Sequence, residues 1–225
     1  MNNKILKYSI SLTILFVFVL CPFAFCEKVE LDACIIALEN RYGTMKDITA
    51  SFNQETFLSI ANRIEKAEGN VFMKQGGKMF WDYTHPTPQK IILDGESLWV
   101  YLPEEKQVVK SSFTSFSSHI VADLFYGKVN IKKRFNVSFL SMDSEDNASN
   151  IILELLPKEY NPTLKTLLLE IDPVGSLITK TVLEDELGTK TTLMFSEIKV
   201  DKGIEDSFFI FTPPPGVEIF SPPKF

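Results

Sequence analysis

The chain has 225 residues, a net charge of -6 and a hydrophobic content of 45%. This acidic balance argues against a nucleic-acid-binding protein, which needs clustered lysine and arginine to neutralise phosphates, and against a protein that lies on an anionic bilayer. Length and composition fit one globular domain with a hydrophobic core.

The N-terminal segment has the pattern of a secretory signal peptide. Lys4 and Lys7 precede an apolar run over residues 10–20. That run is shorter than the roughly 20 residues that a membrane-spanning helix needs. We therefore predict an export signal rather than a membrane anchor.

The cleavage site is predicted after Cys26, because Ala24 and Cys26 occupy the small-residue positions of such a site. Cleavage divides the chain into a signal peptide, residues 1–26, and one domain, residues 27–225. Cys34 would be the cysteine that remains, so no intramolecular disulfide is predicted. The alternative is a lipoprotein signal with lipid on Cys21 or Cys26, although the large residues before these cysteines do not suit it.

The chain continues with one helix and then a series of strands. Residues 30–45 carry apolar side chains three and four positions apart, which predicts an amphipathic helix that ends near Gly43 and Thr44. From Ile48 onward apolar and polar residues alternate, as in a strand. Further strands are predicted at residues 66–75, 78–83, 90–93, 98–102, 107–111, 135–141, 150–156, 164–171, 177–183, 189–199 and 208–211.

The connections between these strands are short and rich in turn residues, which predicts hairpins and an antiparallel sheet of about eleven strands. Residues 116–128 interrupt the series with helical spacing, and Ser117 or Ser118 would cap this second, short helix. The proline-rich tail, residues 212–225, is not expected to join the sheet because proline has no N–H to donate.

No residue pattern predicts catalysis or a metal site. His85 lies in a loop before Pro86, and His119 has Asp123 four positions later, which is a weak signal for a metal ligand pair. Cys34 belongs to the apolar stripe of the first helix, where an inert thiol is expected. We therefore predict a protein that is not an enzyme and that has no cofactor.

Aromatic residues supply the positive signal. The predicted strands 78–83 and 98–102 are apolar on both faces, with Met79 and Trp81 on one face of the first strand and Phe80 on the other. An antiparallel sheet with water on one side should alternate polar and apolar residues, so the second face needs cover. Loose cover by the helices would leave an apolar cavity, the usual form of a ligand site.

The sequence resembles the LolA-type outer-membrane lipoprotein carrier proteins of the Gram-negative periplasm. The order and spacing of several short stretches carry the resemblance, which spans nearly all of the predicted domain. These stretches are Ser51-Phe52-Asn53-Gln54, Gly69-Asn70-Val71-Phe72-Met73-Lys74, Lys78-Met79-Phe80-Trp81-Asp82-Tyr83, Pro88-Gln89, Asp94-Gly95-Glu96-Ser97-Leu98-Trp99-Val100-Tyr101 and the closing Phe209-Ile210-Phe211-Thr212-Pro213-Pro214-Pro215-Gly216-Val217.

The resemblance implies an α+β, mainly β fold: an unclosed antiparallel β half-barrel of about eleven strands with a helical lid. It also implies a monomeric periplasmic chaperone that takes the acyl chains of lipoproteins from an inner-membrane ABC release complex to an outer-membrane receptor. The residues expected to line the lipid-binding cavity are Leu38, Phe52, Phe72, Met79, Trp81, Trp99, Tyr101, Leu124 and Phe125.

The sequence departs from the family pattern at the arginine that fastens the lid. Gln75-Gly76 stands where the best-known members have arginine before proline, and Phe80 replaces an arginine often found before the tryptophan. A different gating contact is therefore expected. The alternatives are an acylated outer-membrane receptor of the same fold, a periplasmic regulator that senses lipoproteins, and a β domain with a full core and no cavity.

Overall fold

The computed structural model describes residues 23–112, 130–141 and 150–221. It contains a long helix, α1, a one-turn helix, α2, and twelve strands. In chain order these are α1 Phe23–Thr44, β1 Asp47–Leu58, β2 Arg63–Lys74, β3 Lys78–His85, β4 Gln89–Asp94, β5 Ser97–Leu102, β6 Gln107–Ser112, α2 Ile131–Arg134, β7 Phe135–Ser141, β8 Ile151–Pro157, β9 Thr166–Asp172, β10 Leu177–Glu184, β11 Lys190–Val200 and β12 Glu218–Phe220.

All twelve strands belong to one unclosed sheet in the order β12-β6-β5-β4-β3-β2-β1-β11-β10-β9-β8-β7. Neighbouring strands are antiparallel hairpins except at two places. Strand β1 lies in the interior of the sheet, where it pairs with β2 on one side and with β11 on the other. Strand β12 pairs with β6 in parallel. The predicted fold class, mainly β with an unclosed sheet, is confirmed.

The C-terminal region differs from its prediction. Residues 208–211 were expected to form a strand, but Asp206–Phe209 is a turn of 3₁₀-helix. The tail was expected not to join the sheet, yet Glu218–Phe220 pairs with β6. The reason is that the prolines at residues 213–215 precede the pairing segment, whose own residues keep their N–H groups, and Glu218 N donates to Lys106 O.

The helices agree with the sequence in part. Helix α1 ends at Thr44 as expected, but begins at Phe23, earlier than predicted. The helix predicted over residues 116–128 lies outside the described residues. Helix α2 was not predicted because it is one turn long, and Asn130 caps it by accepting from Lys133 N. Among the described helices, none is both long and apolar enough to cross a membrane.

Successive side chains of a strand point to opposite faces of the sheet, and both faces are apolar. One face is covered by α1 and the other by a segment that follows β11. On the face that we call the inner face, Ile48 and Phe52 of β1 belong to the same buried cluster as Leu38 and Met45 near the end of α1. The opposite face, the outer face, is covered over β2 to β5 by residues 201–212, which we call the C-terminal strap. Burial on both sides explains why the strands are apolar on both faces.

Asp47 holds the beginning of the strap. Its side chain is 1% exposed, and its carboxylate accepts hydrogen bonds from the backbone N–H groups of Lys202, Gly203 and Ile204. Consecutive N–H groups that converge on one anion form a nest, and the left-handed conformation of Gly203 supports this geometry. The strap is thereby fixed to the first residue of β1.

Two lysines hold the middle of the strap. Lys74 and Lys78 each lie 2.6 Å from a carboxylate oxygen of Asp206. Their hydrogen bonds, Lys74 first, lower the pKa of Asp206 to about 2. Beyond this point the ring of Phe208 packs on Phe72, with ring centroids 4.8 Å apart.

Candidate apolar binding site

The C-terminal half of α1 packs on the inner face through Leu38 and Tyr42, which are both buried. A cavity of about 20 Å³ remains between this helix and the sheet. A cavity of this size holds about one water molecule and is far too small for an acyl chain, so an acyl chain enters at this place only if α1 moves. The cavity is lined by Tyr42, Ile48, Ala50, Val71, Met73, Ile178, Phe195 and Ile198.

Tyr42 joins α1 to the sheet beside this cavity. The side chain is 2% exposed, and its hydroxyl oxygen accepts a hydrogen bond of 2.9 Å from Ile178 N. The N–H is available because a register shift between Ile178 and Lys180 interrupts the ladder with β9. Burial raises the pKa of Tyr42, so the hydroxyl stays neutral and Tyr42 anchors α1 without a buried charge.

We expect Tyr42→Phe to lower the free energy of unfolding by about 2 kcal/mol, because the buried N–H of Ile178 loses an acceptor. Urea unfolding measures the change. Tyr160→Phe is the matched control, since Tyr160 is 81% exposed and should leave stability unchanged. Equal stability of the Tyr42→Phe variant and the unsubstituted protein would contradict this role.

Gln75 fastens the C-terminal end of α1 at the position where the family arginine is missing. Its side-chain Nε2 donates to Gly43 O at 3.0 Å, and its backbone N donates to Lys46 O at 2.9 Å. The contact is neutral, and a neutral hydrogen bond contributes about 1 kcal/mol, less than one made by a charged group. A neutral hydrogen bond thus stands at the place where the sequence led us to expect a different gating contact.

Helix α1 has a second attachment, nearer its N-terminal end. Glu39 accepts a hydrogen bond of 2.7 Å from Ile131 N, and Lys132 forms an ion pair of 2.7 Å with Asp32. Both partners belong to α2; Ile131 is buried, whereas the Lys132–Asp32 pair is exposed. Exposed ion pairs of this kind contribute little, so α1 is held over the inner face mainly by its apolar contacts.

An aromatic group on the inner face continues the site beyond the cavity. Phe52 meets Trp81 and Tyr83 edge to face, with ring centroids 4.9 Å apart in each case. Phe195 lies 6.4 Å from Trp81 on the other side. Gly69 pairs with both Phe52 and Tyr83 in the sheet, and its lack of a side chain leaves the space in which the two rings meet. Trp81 and Tyr83 are half-buried, so this part of the face is only partly covered.

Seven of the nine predicted lining residues belong to the described part of the chain, and they divide between the two faces of the sheet. Leu38, Phe52, Met79 and Trp81 do lie together on the inner face. Leu124 and Phe125 lie outside the described residues. The side chains of Phe72, Trp99 and Tyr101, which were predicted to line the same cavity, alternate to the outer face of the sheet.

The strap covers these three residues on the outer face. Phe72 contacts Phe208, and Trp99 and Tyr101 lie 5.7 Å and 5.6 Å from the ring of Phe211. The sequence alone gave no means of telling the faces apart, since both are apolar. Sequence reasoning also missed Phe195. Its strand, β11, pairs with β1 although the two are far apart in the chain, so no local pattern indicates that Phe195 lies beside Phe52.

Other reactive side chains lie apart from this site. His85 is exposed and lies 3.1 Å from Glu68. Cys34 is half-buried against the core cluster, and burial raises the pKa of its thiol. Within residues 23–112, 130–141 and 150–221, no group of three histidine, cysteine or acidic residues is placed to hold a metal ion.

Known proteins share both the sequence pattern and the fold. A protein of Nitrosomonas europaea named outer-membrane lipoprotein carrier protein is 29% identical over 170 residues, which cover 76% of this chain and 80% of that protein. A protein of the same name from Hahella chejuensis is 27% identical, with 83% and 88% covered.

Among solved structures, an uncharacterized conserved protein from Thermus thermophilus has a similar fold. Its TM-score is 0.57 at 11% identity, with 86% of this chain and 99% of that chain covered. The family model described as "Outer membrane lipoprotein carrier protein LolA" matches residues 43–212. The match extends from the end of α1 to the end of the strap, so the chain belongs to the LolA family of outer membrane lipoprotein carrier proteins.

Proposed function

We propose that this protein is a periplasmic carrier that binds the acyl chains of lipoproteins between α1 and the inner face of the sheet. The observation that carries the proposal is the construction of this face. It is apolar, it bears a half-buried aromatic group beside a small cavity, and the helix that covers the cavity is held by apolar contacts and only a few isolated hydrogen bonds.

The energies suit reversible binding. Each methylene group moved from water to an apolar site contributes about 0.8 kcal/mol, so a long acyl chain gains on the order of 10 kcal/mol. Part of this gain is lost because Ile35, Leu38 and Met45 leave their buried positions when α1 moves aside. The difference is small enough for the cargo to be released again.

The family membership supports the rest of the pathway. An inner-membrane ABC release complex supplies the lipoprotein, and an outer-membrane receptor takes it over. Residues 1–26 are removed as a signal peptide, and residues 27–225 act as one monomeric domain. The transfer is a binding exchange and not an enzymatic reaction.

The two tryptophans of the chain allow the site to be tested without removing bulk from the core. Trp81 belongs to the inner face, whereas Trp99 lies under the strap on the outer face. A brominated fatty acid quenches tryptophan fluorescence on contact. In the Trp99→Phe variant, which retains Trp81, we expect it to quench the fluorescence in a saturable manner. The Trp81→Phe variant, which retains Trp99, should show little quenching.

Equal quenching of the two variants, or quenching without saturation, would contradict an acyl site on the inner face. A second assay tests carriage itself: inner-membrane vesicles that hold labelled lipoprotein are incubated with the protein and ATP, and label is measured in the soluble fraction. We expect release by the unsubstituted protein and several-fold less by Trp81→Glu. No soluble lipoprotein with the unsubstituted protein would exclude the carrier function.

A further inference from the structure

One end of the sheet collects several connections that the proposed cargo site does not use. The turns 59–62 and 185–189 lie side by side, because β1 and β11 are antiparallel and the Ser59 hydroxyl donates to Leu187 O. The loop 158–165 reaches the same end through a hydrogen bond from Glu186 N to Pro162 O. Helix α2 joins it because Phe135 pairs with Pro157. We call this region the turn end.

The turn end exposes large apolar side chains at the tips of its turns. Ile60 is 85% exposed and Leu187 is 67% exposed. Just behind the tip, Phe57 pairs with Ile64 across β1 and β2, and both are at least one-third exposed. Single exposed apolar residues are ordinary, but a group at one end of a molecule is typical of an interaction site.

Basic side chains flank these tips, although the whole chain is acidic. Lys132, Lys133 and Arg134 are consecutive in α2, and Lys158 lies beside them, with its Nζ donating to Lys132 O. Within the described part of the chain, Lys133 and Lys158 form no ion pair. They line a groove of about 320 Å³ together with Tyr160, which is 81% exposed.

Two acidic residues at the turn end, Glu184 and Asp185, are engaged in contacts, whereas Glu159 and Glu186 are exposed. Glu184 forms ion pairs with Lys165 and Lys190, and these lysines lower its pKa, Lys190 first. The carboxylate of Asp185 accepts from Leu187 N and Thr189 N within its own turn. Charges elsewhere on the molecule are screened over about 8 Å at physiological salt. Glu159 is the acidic residue among those that line the groove, against Lys133, Arg134 and Lys158, so the lining carries a net positive charge.

We propose that the turn end docks on an anionic phospholipid bilayer. Ile60 and Leu187 enter the interfacial region, and Lys133 and Lys158 bind a lipid phosphate in the groove. Protruding tips suit a bilayer, which accepts separate apolar side chains, whereas a protein partner requires a continuous complementary surface. The docking needs no acyl chain on the inner face, so it goes beyond the carriage of cargo.

The net negative charge of the whole chain argued against docking on an anionic bilayer. The structure changes that inference because it gathers basic side chains at the turn end. A membrane-bound lysine contributes about 1 kcal/mol near an anionic surface. Two lysines and two apolar tips therefore give reversible attachment rather than a stable anchor. Reversible attachment is compatible with a protein that must leave the membrane again.

Vesicle flotation with the exported protein, free of cargo, tests the proposal. Vesicles of phosphatidylethanolamine and phosphatidylglycerol are compared with vesicles of phosphatidylcholine alone. We expect binding to the anionic vesicles that weakens with salt. The pair Ile60→Ser and Leu187→Ser, and separately the pair Lys133→Glu and Lys158→Glu, should each reduce binding by about tenfold or more.

Matched controls come from the opposite end of the sheet. Val174 is 93% exposed in the turn between β9 and β10, and Lys202 is exposed beyond β11. Val174→Ser and Lys202→Glu should leave binding unchanged. Equal losses in the controls would overturn the assignment of this surface. Absence of binding by the unsubstituted protein would overturn bilayer docking and point to a protein partner instead. Neither this result nor equal losses in the controls would affect the quenching test of the cargo site.

Discussion

Replacement of Asp47 with alanine is expected to lower the free energy of unfolding by about 3 kcal/mol. The substitution removes the acceptor of three backbone N–H groups at once, those of Lys202, Gly203 and Ile204. These groups then lose the buried acceptor that holds them together. Urea unfolding gives the loss of stability.

The same substitution should loosen the strap over the outer face. In a Trp81→Phe background, the emission of Trp99 reports on this region, because Trp99 lies against Phe211. We expect its emission to shift to longer wavelength in Asp47→Ala. Asp201→Asn is the control. Asp201 is exposed and accepts a hydrogen bond from one backbone N–H group, that of Lys46. Asparagine keeps a side-chain acceptor and tolerates the left-handed backbone conformation of this residue. Equal losses in the two variants would show that the nest is not the main fastening.

Replacement of Gly69 with alanine is expected to cost at least about 3 kcal/mol. A Cβ atom at this position would lie 2.1 Å from the backbone oxygen of Asp82. Backbone cannot swing aside as a flexible side chain does, so β2 and β3 must separate. That separation displaces Trp81 and Tyr83, and fatty-acid quenching of Trp81 should weaken together with the stability.

Gly43→Ala provides the matched control for this substitution. Gly43 lies in the last turn of α1, and a Cβ atom there would meet nothing within 4 Å. Alanine favours a helix over glycine, so stability should stay the same or rise by about 0.5 kcal/mol. If Gly69→Ala were as stable as Gly43→Ala, the close approach of β2 and β3 would not constrain the sheet.

The strands were predictable from the sequence because turn residues separate short apolar runs. The bounds of β7, Phe135–Ser141, agree with the prediction, and those of β5 differ by one residue. The face on which each side chain lies was not predictable. Trp81 and Trp99 occupy equally apolar strands, and only the cover supplied by α1 and the strap distinguishes inner from outer.

The lid contact illustrates a different limit. The absence of the family arginine was visible in the sequence, but its replacement was not. Gln75 reaches Gly43 O only because the turn after β2 lies under the end of α1, a relation set by tertiary structure. The tail was misjudged for a similar reason, since three prolines obscured the short segment Glu218–Phe220 that pairs with β6.

The interior position of β1 has a consequence for the order in which the chain folds. Phe52 pairs with Gly69, which is synthesised soon after it, and also with Phe195, which is synthesised near the end of the chain. Until β11 has been made, β1 keeps one open edge and the sheet stays in two incomplete parts. Contacts between such distant residues slow folding, and unpaired strand edges promote aggregation in the interval. A chain of this topology cannot complete its sheet until nearly all of it has been made, and its open strand edges call for protection by chaperones in that interval.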